Sequence, residues 1–349
     1  LYNVIVFTKV LNKTEGVKIT AKGGSGRLFS HDQKSNFAVM EGIVIRSTGS
    51  WYTVSFKDGR RAECRLKGNF RIKGVNTRNT NPIAVGDHVE IETDQNGDAV
   101  ISELHDRKNY IIRRSTKLSK QTHILAANLD RAWVIATLKQ PRTSTGFVDR
   151  FLITAEAYNI PATVVFNKKD LLDEEELEYV EILADLYRNL GYESHVISCE
   201  NADDVEMVRE LMQNKVNLIA GHSGVGKSTL INLLEPELGL RTGEISKAHS
   251  KGMHTTTFAE MFEMNGGGWI IDTPGIKEFG IVNVERNELS HFFPEMRNLF
   301  GECKYHGCLH DKEPGCAVRT AVDEGKIAVT RYECYLQILN GEELEKEYD

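Results

Sequence analysis

Residues 216 to 230 read VNLIAGHSGVGKSTL: an apolar run, a glycine-rich turn, then the start of a helix. The spacing Gly221, four residues, Gly226, Lys227, Ser228 is that of a phosphate-binding loop, whose backbone N–H groups converge on an anion at a helix N-terminus. Gly221 and Gly226 permit conformations and a closeness of approach that a Cβ forbids, Lys227 can reach the β and γ phosphates, and Ser228 can ligate Mg²⁺. His222, Ser223, Gly224, Val225 and Thr229 complete the lining. The apolar strand before the loop and LINLL after it supply the context that separates the motif from a chance glycine turn. A second group, within CKYHGCLHDKEPGC, places five soft donors in one short irregular stretch: Cys303, His306, Cys308, His310 and Cys316. Such crowding in a reducing compartment reads as metal binding.

At 349 residues, 40% apolar and 27% charged, the chain has room for two or three globular domains. No apolar run approaches the roughly 20 residues that cross a bilayer. The N-terminus lacks a charged-then-apolar signal pattern. We therefore expect a cytoplasmic protein with no membrane partner, and nothing in the sequence demands more than a monomer. The net charge of −7 excludes a wholly basic nucleic-acid binder, yet between Lys57 and Arg78 eight cations stand against only Asp58 and Glu63. The acidic tail from Glu342 to Asp349 reads as a solvated end.

Residues 1–39 show neither helical nor strand period and read as a leader, an added segment or an arm, with Met40 as the expected authentic start. From Met40 to about Arg113 five short strand-like stretches, GIVIRS, WYTVSF, AECRL, VGDHVEIET and AVISEL, are separated by turn signals. They predict a small closed β-barrel of the OB type. The basic stretch crosses its second and third strands, with Trp51, Tyr52, Phe56 and Phe70 among the charges. Such a mixture suits single-stranded RNA, where bases stack and phosphates pair. The aromatics themselves read first as barrel core. A basic connector, Arg113, Arg114, Lys117 and Lys120, follows. Then strands at 131–138, 162–166, 193–197 and 216–220 alternate with helices near 147–158, 174–190 and 203–213. That order predicts a parallel sheet covered by helices on both faces.

Strand 162–166 ends in Asn167, Lys168, Lys169, Asp170, which resembles the NKxD element that selects guanine in GTPases. The resemblance implies that Asp170 accepts from guanine N1–H and N2–H₂, that Asn167 helps to hold the base and that Lys168 covers it. Adenine lacks those donors, so a carboxylate left unpaired discriminates strongly. Ser198 and Cys199 resemble the backbone-contacting base loop, usually SAK, from which Cys199 and Glu200 depart. Asp272, Thr273, Pro274, Gly275 resembles the DxxG element, where Asp272 would hold Mg²⁺ through water and the Gly275 amide would sense the γ phosphate. Between these motifs KGMHTTTF carries three threonines, of which Thr256 is preferred over Thr255 and Thr257 to complete the Mg²⁺ shell. Ile276 occupies the place where many GTPases carry a water-orienting glutamine. His254 is the candidate to orient water instead.

The order of these elements is the most telling feature. NKxD and the Ser198 loop precede the phosphate loop, and DxxG comes last, as in a GTPase whose chain has been circularly permuted. Barrel, permuted GTPase and C-terminal Cys/His cluster together resemble the RsgA/YjeQ family, the small-ribosomal-subunit-dependent GTPases, from about Met40 to the final helix. That family usually carries glutamine where this chain has His222, a change expected on the loop's outer face. The resemblance implies a multidomain protein: an OB-fold RNA-binding barrel over 40–113, a circularly permuted α/β P-loop GTPase domain over 114–284, and a small helical zinc-binding domain over 285–349. It implies Cys303, Cys308, His310 and Cys316 as a closed structural zinc set, with His306 spare. It also implies the same role for His254. The expected cofactors are GTP/GDP, Mg²⁺ and one Zn²⁺, and the expected partners are the small ribosomal subunit and its rRNA. GTP should favour binding and hydrolysis release, with intrinsic turnover slow until the subunit stimulates it. A competing reading is an RNA-binding assembly factor that uses GTP as a slow ligand, and a third, disfavoured by Asp170, is a P-loop kinase or ATPase.

Overall fold

The computed structural model describes residues 39–68, 70, 82–94, 97–114, 122–239, 259–272 and 284–341. Its first unit is the expected five-stranded barrel: β1 (Met40–Ser47), β2 (Tyr52–Phe56), β3 (Arg61–Leu66), β4 (His88–Thr93) and β5 (Ala99–Leu104). The strands run in the order β1-β2-β3-β5-β4, and β4 pairs back onto β1 to close the ring. Only the β3–β5 pair is parallel. Period-2 alternation turns Val44, Tyr52, Val54, Cys64, Val89, Ile91 and Ile101 inward. Gly42 sits where β1 is pressed against β2, since a Cβ there would lie 2.4 Å from Val54 Cγ1 and 2.9 Å from the Ser55 carbonyl oxygen. Tyr52 and Phe56 are core, as expected. Trp51 stays outside, more than a third exposed.

A hairpin of β6 (Tyr110–Arg114) and β7 (Thr122–Ala127) follows where a basic connector was expected. Its apolar positions, among them Ile111, Ile112 and Ile124, are too few to show a period, and β7 runs into the next strand's apolar stretch without strong punctuation.

The central unit alternates β8 (Arg131–Ala136), α1 (Thr145–Ala157), β9 (Ala162–Phe166), α2 (Glu174–Asn189), β10 (Glu193–Val196), α3 (Ala202–Met212), β11 (Val216–Ala220) and α4 (Lys227–Leu234). A hairpin, β12 (Glu260–Glu263) and β13 (Trp269–Asp272), completes it. Helix starts are written locally: Ser144 caps α1, Asn201 caps α3, and Asp173 with Glu176 forms a reciprocal capping box on α2. The strands order β10-β9-β8-β11-β13 in parallel, and β12 adds antiparallel. Alternation along β8 sends Ala132, Val134 and Ala136 towards α1 and α2, and Trp133 and Ile135 towards α3 and α4. Both faces are thus covered, as a parallel sheet requires. The buried Trp133 indole N–H donates to Asn217 Oδ1 at 2.9 Å, so its polar atom is satisfied.

Strand β12 also meets the barrel, with Glu260 registered against Arg46 of β1. Barrel and central sheet are therefore one continuous 11-stranded surface. The last unit packs α5 (Pro294–Arg297), α6 (Ala317–Asp323) and α7 (Val329–Asn340) around Phe293, Met296, Val318, Ile327 and Tyr335. Ile153 of α1 enters the same core. Arg331 of α7 is fully buried, 3.0 Å from Asp149 of α1 and 2.7 Å from Glu295 of α5. No helix among the described residues is long and apolar enough to cross a membrane.

Candidate nucleotide site and metal centre

Parallel strands deliver their C-terminal ends to one edge of the sheet, and ligands bind there in open α/β folds. At that edge the loop after β11 carries Gly221 at φ +146°, Gly224 at +87° and Gly226 at +100°. A Cβ on Gly221 would stand 2.3 Å from the Ile135 carbonyl oxygen, and one on Gly226 the same distance from Asn167 Nδ2. Glycine is thus demanded by close packing as well as by backbone sign. Among the described residues nothing accepts a hydrogen bond from the Ser223, Gly224, Val225 or Gly226 amides. Lys227 Nζ lies 2.7 Å from the Gly221 carbonyl oxygen and 2.6 Å from that of His222, folded over the loop it opens from. Ser228 and Thr229 follow, half-buried in the first turn of α4. Free amides, a helix start and a lysine over one concave turn fit a polyphosphate.

Asn167 ties the neighbouring loop to this one. Its amide nitrogen donates to the Ala136 carbonyl, extending the sheet by one rung, and its Nδ2 donates to the Val225 carbonyl at 2.9 Å. Lys168 adopts φ +67° and its ammonium caps the Gln140 carbonyl. Asp170 is exposed, and its carboxylate accepts from Ser198 Oγ. The structure therefore brings Asn167, Lys168, Asp170, Ser198 and the phosphate loop together. Cys199 Sγ is 3.5 Å from Asn167 Oδ1, and burial pushes its thiol up from the ordinary value. That thiol stays protonated and acts as a weak donor.

The sequence did not signal three members of this assembly. Asp204, in the first turn of α3, accepts from the Ser198 amide at 2.8 Å and pairs with Lys169 at 2.7 Å, so it moulds the base loop despite the departure from SAK. Gln140 receives Lys168. Phe147 of α1 packs on the His222 ring with centroids 4.0 Å apart. His222 was expected on the loop's outer face, and it is instead half-buried against α1, because its planar ring finds an aromatic partner there. None of the three belongs to a local motif.

Register pairs Asp272 with Ile219, which sets its backbone beside the phosphate loop's entry. His254, Thr256 and Gly275 lie outside the described residues.

In the helical unit the donor atoms of Cys303, Cys308, His310 and Cys316 all lie within 4.8 Å of one another. His310 Nδ1 is 3.5 Å from Cys303 Sγ and 3.4 Å from Cys316 Sγ. His306 is exposed and stands apart. The loop is shaped from outside: Glu313 accepts from the amides of Leu309, Asp311 and Lys312, while Tyr332 and Tyr335 of α7 donate to the His310 and Leu309 carbonyls at 2.6 and 2.7 Å. Burial beside two other thiols pushes Cys308 up to about 12, and burial holds the His310 imidazole below its ordinary value, hence neutral. Crowded thiols with a neutral imidazole match the donor set of a structural Cys₃His zinc site, whose cation favours the thiolates that crowding alone disfavours.

The family model for the RsgA GTPase matches residues 104–282, and that for the RsgA N-terminal domain matches 41–101. A protein of Bacteroides fragilis named small ribosomal subunit biogenesis GTPase RsgA is 55% identical over 304 residues, 87% of this chain and 97% of that one. A Flavobacterium johnsoniae protein of the same name is 50% identical over 307 residues, 87% of this chain and 94% of its own. The crystal structure of YjeQ from Thermotoga maritima superposes with a TM-score of 0.70 at 34% identity, covering 87% of this chain and 98% of that one. YloQ, described as a circularly permuted GTPase, superposes with a TM-score of 0.67 at 29% identity, covering 89% and 97%. With a guanine-type loop and a phosphate loop joined by Asn167, behind a closed barrel and ahead of a Cys₃His cluster, the chain belongs to the RsgA GTPase family.

Proposed function

We propose that this GTPase works on the small ribosomal subunit in its late maturation, binding in the GTP state and leaving after hydrolysis. The observation that carries the reading is the Asn167–Val225 hydrogen bond, which fuses base selection and phosphate binding into one rigid cradle. Asp170 and Ser198 take the guanine edge, with Lys168 over the base and Cys199 holding Asn167. The loop from Gly221 to Ser228 and Thr229, including His222, Ser223, Gly224, Val225 and Gly226, surrounds the phosphates, with Lys227 as the neutralising cation. Ser228, Asp272 and Thr256 are the side chains assigned to Mg²⁺. When bound, that ion would supply charge neutralisation for the phosphates. His254 orients the attacking water in place of the absent glutamine, and Gly275 reads the γ phosphate. Zinc on Cys303, Cys308, His310 and Cys316, when bound, supplies a crosslink that folds the C-terminal unit.

Our division of labour follows the segments 40–113, 114–284 and 285–349: an rRNA-binding barrel, a cytoplasmic and monomeric GTPase core, and a second docking module. The barrel strand β1 is hydrogen-bonded to β12, which emerges from the segment bearing His254 and Thr256. A change in that segment on loss of the γ phosphate therefore has a mechanical path to the RNA-facing unit. GTP and ATP turnover with and without purified small subunits tests the reading. We expect GTP-only stimulation, depressed in His254→Ala with GTP affinity retained. Subunit binding without stimulation favours the assembly factor with incidental hydrolysis, which Ile276 would suit, and equal subunit affinity of GDP and non-hydrolysable-GTP forms defeats the release step.

A further inference from the structure

One face of the barrel carries an arrangement that the nucleotide site does not use. Trp51 immediately precedes β2, and continuing the Tyr52↔Cys64 register by one residue sets it opposite Arg65 of β3. The indole is 37% exposed, and the Arg65 guanidinium lies 4.1 Å from its ring centroid. Neighbouring cations on or beside these strands have carboxylate partners: Arg60 with Asp58, Arg61 with Glu263 and Lys67 with Glu92. Arg65 has no carboxylate partner among the described residues, and its side chain is exposed. Beside the pair opens a cavity of about 220 Å³ whose lining includes Trp51, Arg65, Leu66 and three carboxylates, Glu63, Asp94 and Asp98. Asp98 is half-buried, and its carboxylate accepts no hydrogen bond among the described residues. Glu63 and Asp94, by contrast, are engaged, Glu63 by Thr53 at 2.7 Å and Asp94 by the Asp98 amide at 2.9 Å.

An ordinary surface cation on a tryptophan needs neither a cavity nor an unengaged carboxylate next to it. A planar guanidinium already laid on an indole presents a second flat face, and unpaired bases stack on such planes. A carboxylate lining the same cavity can accept two parallel N–H bonds from guanine N1 and N2. Adenine, cytosine and uracil do not present that pair of donors. We propose that Trp51, Arg65 and Asp98 form a subsite for a single unpaired guanine of RNA, with the base stacked on the Trp51–Arg65 layer. This deepens the reading of the barrel as an RNA-binding unit and rests on it.

The test uses the full chain with GDP and Mg²⁺ in excess, so that the nucleotide pocket is filled, and measures fluorescence anisotropy of two labelled heptaribonucleotides. One is all uridine and the other carries one central guanosine. We expect tighter binding of the guanosine oligomer. Trp51→Ala should weaken it by about fivefold to about a hundredfold, Trp51→Phe should keep most of the affinity, and Asp98→Asn should level the two oligomers, all with unchanged GDP affinity. Salt-dependent binding of both oligomers that ignores Trp51→Ala, or equal wild-type affinity for both, overturns the subsite and leaves the RNA-binding barrel standing. No binding of either oligomer at low salt overturns the subsite together with the barrel's assignment to RNA.

Discussion

Asp170 is exposed and held by one hydroxyl from Ser198, and in the function proposed above it is the group that a guanine edge must satisfy. Asp170→Asn replaces half of its acceptor capacity with a donor. GTP affinity should fall about tenfold to about a hundredfold, as for loss of a hydrogen bond to a charged group. Titration with a fluorescent guanine nucleotide reads this directly, and unchanged affinity would remove Asp170 from the base site. At this scale the phosphate loop and NKxD were legible because their chemistry is written in consecutive residues. Asp204 and Phe147 were not, since each acts on a loop that the chain brings near only after folding. The Cys₃His choice falls between these cases: five donors were visible, the family resemblance implied His310 over His306, and the fold gathers His310 with the three thiols.

Among the elements, α1 is the junction. Its first turn meets the phosphate loop through Phe147 and His222, its next residues hold Arg331 through Asp149, and Ile153 fills the helical unit's core. Arg331 stands between two carboxylates, over the Phe293 ring, and burial leaves no water to replace a lost partner. Arg331→Ala should cost about 3–5 kcal/mol, the penalty of stranding buried charge. Urea unfolding measures it, and a cost below about 1 kcal/mol, typical of an exposed pair, would show that water reaches the site. The alternating strands of barrel and sheet were legible from period 2 and from their spacing with helices. The β6–β7 pairing and the antiparallel β12 were not, because four to six residues carry too little pattern to declare a partner.

The whole molecule is three units sharing parts: α1 belongs to two cores, and β1 closes a barrel while joining it to the central sheet. The order of motifs along the chain was sufficient to recognise a permuted GTPase, since permutation moves the chain ends and leaves the edge of parallel strands intact. How the units join was not legible, as it depends on single contacts such as Arg46 with Glu260. Because the Cys₃His loop is bound by α7 tyrosines, metal removal should reach beyond its own ligands. A strong chelator should release one zinc per chain and melt the helical unit in hydrogen exchange, while GDP binding persists. Retained protection there after complete metal loss would make the ion dispensable to the fold.

The meeting of β1 with β12 also bears on how this protein can be broken. In β1, residues 40–43 pair with β4 to close the ring, whereas Arg46, past an irregularity in register, faces β12. Take the barrel away and β12 becomes a bare outer strand, its N–H and C=O groups open to any extended chain that drifts by. The barrel acts in this sense as a cap, and a nick between the two would leave a GTPase fragment primed to self-associate.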